Sequence, residues 1–539
     1  MNLYKYIYPY IFRHKGMFLT YFIFSLLVWG LSLYNPYLIG IFVDSLKDIS
    51  IGANENEASK ILLILFFSWG IQVISSFFNG IISSRFFIKA EFDVKNHVFM
   101  HLKQLPLSYL GKNSASYFTQ LINNDSKAIT DFVVQSTLSL ITTFLSLIYI
   151  LIFMSKLSMQ MTILIILLIP VYFISYNIFK GSLYETNLVF KENQNEFFSK
   201  MNHQLSHIKY IKIHGIFEES NSEVIDKFNP VFSSEMKYVH MKQRYVAIGN
   251  LSRFLINIVI FSYSAKEILK GNMSLGTFTM INTYSAILIS NVSYALSYGS
   301  SYQSALVAYN RLQSILSSEI EADGDALIHI VDNIVIDNLS FSYDGTKEVL
   351  CKINNTFEKG KIYVFTGPNG AGKSTLYSLL IGLIRGFDGS ISINGINITD
   401  INMTNFRKNK CAVVLQEPDL YFDSIKENLN IVDHDLFSQL AEKLNFCKFV
   451  NGLENEIDFS LSKNSSNVSG GEKQKIAVLG ALSKNAEVVI LDEPTSALDQ
   501  NSIKNLYNIL KKEKQDKIII IITHNLDIVE IADEVIDIF

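Results

Sequence analysis

The stretch Gly367-Pro368-Asn369-Gly370-Ala371-Gly372-Lys373-Ser374-Thr375 decides the reading of this chain. It is a complete G-x-x-x-x-G-K-[ST] loop. A strand-like run over residues 361–366 leads into it, and a helical pattern over 374–381 follows. Strand, loop and helix in that order are the context in which such a loop cradles phosphates. Its glycines let backbone N–H groups curl around an anion, and the new helix adds positive potential at its first turn. The spacing assigns Lys373 to the β- and γ-phosphates of ATP and Ser374 to Mg²⁺. A chance glycine-rich turn would lack the flanking strand and helix.

Two apolar runs downstream extend the site. Val488-Val489-Ile490-Leu491 ends in Asp492-Glu493. Asp492 suits the Mg²⁺ shell, and Glu493 beside it is placed to orient or activate an attacking water. Residues 518–522 form a second buried strand that ends at Thr523-His524. A lone histidine is usually structural; at a strand end in this order, His524 is expected at the γ-phosphate.

Composition sets this site beside a membrane. The chain has 539 residues, room for two or three domains, and a net charge of −4. No global basic field points to nucleic acid. Hydrophobic residues make up 49% and mean hydropathy is +0.23. The excess collects before Gly299, and the remainder reads as a charged α/β domain. Cys351, Cys411 and Cys447 show no metal-binding spacing and read as reduced, structural thiols. The first apolar stretch is too long for a cleavable signal.

A membrane-crossing helix needs about 20 mostly apolar residues. Six stretches qualify: 17–43, 61–88, 136–154, 159–179, 245–269 and 275–298. Pro36 and Pro170 fall inside the first and fourth, where neighbouring helices can tolerate them. Lys and Arg favour the connections 89–131 and 180–244 and the N-terminal segment, which places both termini in the cytosol. Lys266 and Lys270 run against that bias. The two long connections read as helices continuing out of the membrane.

Polar side chains within the last two spans fall into stripes. Asn250, Arg253 and Asn257 share one face of the fifth, and Tyr284, Asn291, Tyr294 and Tyr298 one face of the sixth. Such stripes either line a water-accessible substrate cavity or bond helix to helix. An unpaired guanidinium against lipid is costly, and Arg253 tilts the expectation toward the cavity.

Taken together, the chain resembles an ABC transporter of the exporter type: a half-transporter with one transmembrane domain fused to one nucleotide-binding domain. The resemblance spans nearly the whole length. It implies a type I exporter-like helical membrane domain over residues 1–318, a linker at 319–329 and an α/β P-loop domain at 330–539. Tyr343 matches the aromatic that stacks on adenine. Gln416 matches the glutamine that senses Mg²⁺ and the membrane domain. Ser469-Gly470-Gly471 matches the signature core, which in the family caps ATP held by the opposite subunit. Asp499, in Ser496-Ala-Leu-Asp499, matches the D-loop, and His524 the switch histidine. In the membrane half, stretches 36–44, 105–125 and 208–215 also resemble exporter patterns.

The resemblance implies ATP-driven export from a homodimer, with a heterodimer as the variant, in a lipid membrane. The polar–aromatic stripes suit a peptide or amphipathic compound. A lipid flippase and an ATP-gated regulator that transports nothing are the alternatives, and the intact Glu493 and His524 argue against the second. There are departures. Glu472 stands where the signature usually has glutamine, the following residues read Lys473-Gln474-Lys475, and residues 461–467 lack the glycine and glutamate common in exporters.

Overall fold

A computed structural model describes residues 3–50, 55–111, 115–343, 345, 347–368, 370–429, 434–444, 458–461, 467–484, 486–496 and 498–538. Contacts divide the chain into two units. One holds Met1–Leu102 and Ala115–Ser317; the other holds Lys103–Ser114 and Ser318–Phe539.

The first unit is helical. Its elements are α1 (Leu3–Arg13), α2 (Lys15–Ser50), α3 (Glu55–Leu102), α5 (Ala115–Asp131), α6 (Thr137–Leu157), α7 (Met159–Ser206), α8 (Ile208–His214), α9 (Phe217–Leu269) and α10 (Leu275–Leu316). The four-residue α4 (Leu107–Leu110) belongs to the second unit. A single π turn, Phe132–Ser136, joins α5 to α6. Helices α3 and α7 run 48 residues and α9 runs 53. At 1.5 Å per residue they exceed 70 Å, more than twice the roughly 30 Å hydrocarbon layer. They therefore continue well beyond the membrane, as their sequence pattern implies.

Pro36 and Pro170 lie inside α2 and α7, and both helices run through them. Length and hydropathy alone single out four membrane-crossing stretches among the described residues, carried by α2, α3, α5–α6 and α9. The other two expected spans begin α7 and α10, each opened by a serine cap: Ser158 on Met161 N–H and Ser274 on Thr277 N–H.

Polar side chains fasten the helices. Asn35 donates to Gln72 and accepts from Ser68. The Trp29 indole donates to Ser146 at 2.6 Å. Asp44, in the C-terminal part of α2, closes on the start of α10: its carboxylate accepts from the Ser274 hydroxyl and from the Gly276 N–H, both at 2.7 Å. Here α2 and α10 meet backbone to backbone. A methyl group built on Gly276 would stand 2.0 Å from the Gly40 carbonyl oxygen.

The second unit carries two sheets. The antiparallel one has strand order β2-β1-β4-β5, built from β1 (Asn333–Ser342), β2 (Glu348–Glu358), β4 (Asp388–Ile393) and β5 (Ile396–Asn397). The other runs β6-β7-β8-β3-β9, from β3 (Ile362–Thr366), β6 (Cys411–Val414), β7 (Val488–Asp492), β8 (Ile518–Ile522) and β9 (Glu534–Asp537). Every pairing in it is parallel. Helices α11 (Lys373–Leu380), α12 (Met403–Asn409), α13 (Ile425–Leu429), α14 (His434–Lys443), α15 (Gly470–Ser483) and α16 (Gln500–Glu513) also belong to the unit.

A parallel sheet is buried on both faces and so reads as unbroken apolar runs. Strand β8 is five isoleucines, all buried. Ile518, Ile520 and Ile522 pack with Tyr363, Phe365 and Ile490 on one face, and Ile519 and Ile521 with Ile362, Val364 and Leu491 on the other.

The stretch 319–329 is bound to this unit along its length. Asp323 caps α12 through Met403 N–H, Glu321 pairs with Arg407 at 2.9 Å, and Gly324 and Ala326 donate to the carbonyls of Ile401 and Asp400. The Glu321 N–H also reaches the carbonyl of Gln104.

Candidate active site

Because β6, β7, β8 and β3 are parallel neighbours, their C-terminal ends lie on one edge of the sheet. That edge carries, in strand order, Gln416 just past β6, Asp492-Glu493 at β7, Thr523-His524 at β8 and the loop from Gly367 after β3. Residues far apart in sequence thus meet at one place.

The loop turns at Gly367, whose φ is +136°; a side chain there would stand 2.2 Å from the Ile538 carbonyl oxygen. Helix α11 then starts at Lys373. This ammonium is buried, donates to the Gly367 and Pro368 carbonyls at 2.6 and 3.2 Å, and lies 3.3 Å from His524 Nε2. Tyr343 is 64% exposed, its ring edge-on to Phe341 at 4.9 Å and its hydroxyl 3.1 Å from the Thr375 hydroxyl. It presents an open aromatic face beside the loop. Asn369 lies outside the described residues, as do Ala497, Cys447 and residues 462–466.

Asp492 is buried at the end of β7. Burial, and then the charge of Glu493, push its carboxyl above the ordinary carboxylate range; Lys373 and a hydrogen bond with Ser374 pull the other way without cancelling the effect. Glu493 has a φ of +47°, rare for a residue with a side chain. Such a backbone costs about 1–3 kcal/mol and persists only where its surroundings hold it. They do so here. Its N–H donates to the Ile522 carbonyl at 2.8 Å, and its carboxylate accepts from the His524 N–H at 2.9 Å and the Thr523 hydroxyl at 3.1 Å. The imidazole of His524 stands 3.9 Å from the same carboxylate.

The remaining expected residues are placed as follows. Gln416 is exposed on the loop after β6. Ser469 caps α15, and Gly470 and Gly471 form the first turn behind it. Glu472 accepts from both the N–H and the hydroxyl of Ser469 at 2.7 Å, so the signature serine is held by its own helix. Asp499 caps α16 through Ser502 and pairs with Lys475 at 3.3 Å. Those Ser502 bonds hold its carboxyl well below the ordinary range.

Two residues that the sequence reading left without a role belong to the site: Thr523, on the Glu493 carboxylate, and Gln474, whose amide donates to the Glu493 carbonyl at 2.7 Å. A signal for Gln474 existed. It stands on the buried face of α15 with Val478 and Leu482, four and eight positions on, and a polar side chain on such a face has a partner.

The membrane stripes divide. Tyr284 is fully buried, with its hydroxyl donating to the Leu33 carbonyl at 2.6 Å, so it packs between helices and lines no open path. Tyr294 donates to the Ser136 carbonyl at 3.2 Å, and the Tyr298 and Tyr4 hydroxyls meet at 2.7 Å. Bonding between helices is what these tyrosines do. Asn291 keeps a buried side-chain N–H group without a partner among the described residues. On α9 the packed face is Ser252, Ile256, Ile260 and Ser264; Asn250 and Arg253 are exposed away from it and Asn257 is half-buried.

Comparison with known proteins agrees with this architecture. The family model described as the ABC transporter transmembrane region matches residues 18–292, slightly over half of the chain, and the model described as ABC transporter matches residues 350–496. Among curated proteins, the ATP-dependent lipid A-core flippase of Pasteurella multocida is 27% identical over 494 residues, covering 88% of this chain and 82% of that protein. The protein of the same name from Haemophilus ducreyi is 26% identical over 545 residues, covering 94% and 90%. The solved structure of a bacterial Atm1-family ABC exporter with ATP bound superposes with a TM-score of 0.81 at 18% identity, over 98% of this chain and 93% of that one, a likeness of fold. With a helical membrane domain and a phosphate-binding loop facing an acidic strand end in one polypeptide, this chain belongs to the ABC transporters, as an exporter-type half-transporter that couples ATP hydrolysis to transport.

Proposed function

We propose that two copies of this chain form a homodimer in the cytoplasmic membrane, with termini and nucleotide units in the cytosol, that exports an amphipathic, lipid-like substrate by alternating access. The observation that carries the hydrolytic part is the gathering of Lys373, Asp492, Glu493 and His524 along one sheet edge. The peptide favoured by the polar stripes gives way to lipid because relatives matching 83–94% of the chain are named lipid A-core flippases.

In this reading Tyr343 stacks on adenine and the 367–375 loop wraps the phosphates, with Lys373 turning from its loop carbonyls to the β- and γ-phosphates. Glu493 takes the proton of the attacking water; the Thr523 hydroxyl and the His524 N–H fix its two oxygens and leave lone pairs free. His524 supports the γ-phosphate. Ser374, Asp492 and Gln416 offer the oxygen ligands Mg²⁺ prefers, and the carboxyl of Asp492, raised by burial and then by the charge of Glu493, is one whose ionised form a cation would stabilise. Bound there, Mg²⁺ supplies charge neutralisation at the phosphates. Ser469, Gly470 and Gly471 close over the ATP of the partner subunit, with Asp499 nearby, so each site draws on both chains. Arg253, Asn257, Asn250 and Asn291 are the side chains left to face a substrate path.

The test is reconstitution of the purified protein in vesicles, following ATP hydrolysis and ATP-dependent movement of a labelled lipid A-core lipid or of a labelled amphipathic peptide. Movement of the lipid with stimulated hydrolysis is expected. Movement of the peptide alone would overturn the lipid assignment, and hydrolysis without movement of either would favour a regulator.

A further inference from the structure

We propose that Gln474 is a positioning residue for Glu493 and the rigid link between the two nucleotide sites to which each chain contributes. The inference rests on reading Glu493 as the group that takes the proton of the attacking water.

Gln474 sits in the second turn of α15 and is 1% exposed. Its Nε2 donates to the Glu493 carbonyl oxygen at 2.7 Å and to the Ser496 hydroxyl at 3.3 Å. The same carbonyl accepts from the Ser496 N–H at 3.2 Å. Glu493 is thereby held at its N–H, its carbonyl and both carboxylate oxygens. Of these holds, only the carbonyl one comes from α15; the rest come from β8, from the residues just after it, or from the turn at Ser496. A residue at φ +47° relaxes by rotating its adjoining peptides, and a hydrogen bond on the carbonyl opposes that rotation.

The placement on α15 gives the contact a second consequence. Ser469, Gly470 and Gly471 form the start of this helix, and Gln474 follows Gly471 by three residues, less than one turn. In the composite-site arrangement the start of α15 faces the ATP of the partner subunit, whereas Glu493 acts on the ATP of its own. A shift of the signature on closure therefore reaches Glu493 through one helical turn and one amide. Sequence position conceals this, because Gln474 and Glu493 belong to different motifs.

The test is Q474M in the full-length chain in lipid nanodiscs, beside wild type and E493Q. Methionine keeps the length and bulk of the side chain and removes the donor. Hydrolysis is measured against ATP concentration and normalised to nucleotide bound per chain, so that any misfolded fraction drops out. A displacement of about 1 Å costs on the order of 10²-fold in rate. The expected result is a fall in kcat of about 10–100-fold with KM within about threefold of wild type, and loss of cooperativity in ATP. Wild-type kcat in Q474M with a slow E493Q would overturn the role of Gln474 and leave the base assignment standing. A raised KM at unchanged kcat would overturn it equally, since that is lost binding. Wild-type hydrolysis by E493Q would overturn the base assignment itself.

Discussion

The helix seams of the first unit and the sheet edge of the second handle buried polarity in opposite ways. At the helix seams of the membrane unit, polar side chains settle on another helix: Asn35 on Gln72 and Ser68, Trp29 on Ser146, Asp44 on the start of α10. At the edge of the parallel sheet the polarity is left concentrated. Asp492 and Glu493 are adjacent carboxylates, the first buried and held above its ordinary range, the second held on a strained backbone. The same low-dielectric penalty acts in both places. The seams cancel it internally; the sheet edge keeps it as an unfavourable charge that a ligand can relieve. Those seams and the reactive edge differ in how completely their polar groups are satisfied.

The largest effect that would break this contrast is at Glu493. E493Q keeps the hydrogen-bonding shape but cannot take a proton. It should lower steady-state hydrolysis by about 10²–10⁴-fold with ATP binding intact by calorimetry. Turnover within about tenfold of wild type would remove the sheet edge from the chemistry.

Next in size is a structural change at one of the settled seams. G276A places a methyl group against the Gly40 backbone and the Asp44 carboxylate. Overpacking of this kind costs about 1–3 kcal/mol, read as a lower thermal transition and folded yield, with nucleotide affinity of the folded fraction unchanged. A neutral outcome would mean that the α2–α10 seam is loose.

D492N should move stability the other way. With its carboxyl raised in the folded state, Asp492 stabilises the fold when protonated and loses that contribution as pH rises through its folded value. At neutral pH without nucleotide, D492N should therefore unfold at a higher temperature than wild type, by a few degrees, while losing hydrolysis. The gap should narrow as pH falls through the carboxylate range. A lower transition than wild type at neutral pH would show that the site is satisfied like the membrane seams.

The smallest effect is expected at Arg253, an exposed cation on α9. R253A should reduce the stimulation of hydrolysis by an anionic lipid severalfold. Unchanged stimulation would remove Arg253 from the substrate path.

Much of this organisation is legible in the sequence because local rules write it there. The 367–375 loop between strand and helix, the Val488–Asp492 strand and the five isoleucines of β8 announce themselves by pattern, and parallel pairing then brings their ends together. What stays illegible depends on neighbours distant in the chain. Helical spacing puts Tyr284 and Tyr294 on one face but does not name what faces them, and Leu33 and Ser136 lie far away in sequence. Asp44 meets Gly276 across 232 positions. Residues 319–329 look like a tether because they are short and polar, yet Asp323 caps a helix and Glu321 pairs with Arg407.

The order of strands in the parallel sheet also bears on how the chain is made. The two sheet neighbours of β3 are β8 and β9, both synthesised long after it. Until residue 518 and those after it leave the ribosome, the strand that launches the phosphate-binding loop has no partner on either side, so ATP cannot help the domain to fold early. When β8 does emerge, it is a five-residue isoleucine run bracketed by Lys517 and Thr523. Uncharged β-branched segments of this kind are prone to pair with copies of themselves. The slot between β7 and β3 must stand ready to receive it, and slow completion of that slot would expose the nascent protein to aggregation before any nucleotide could bind.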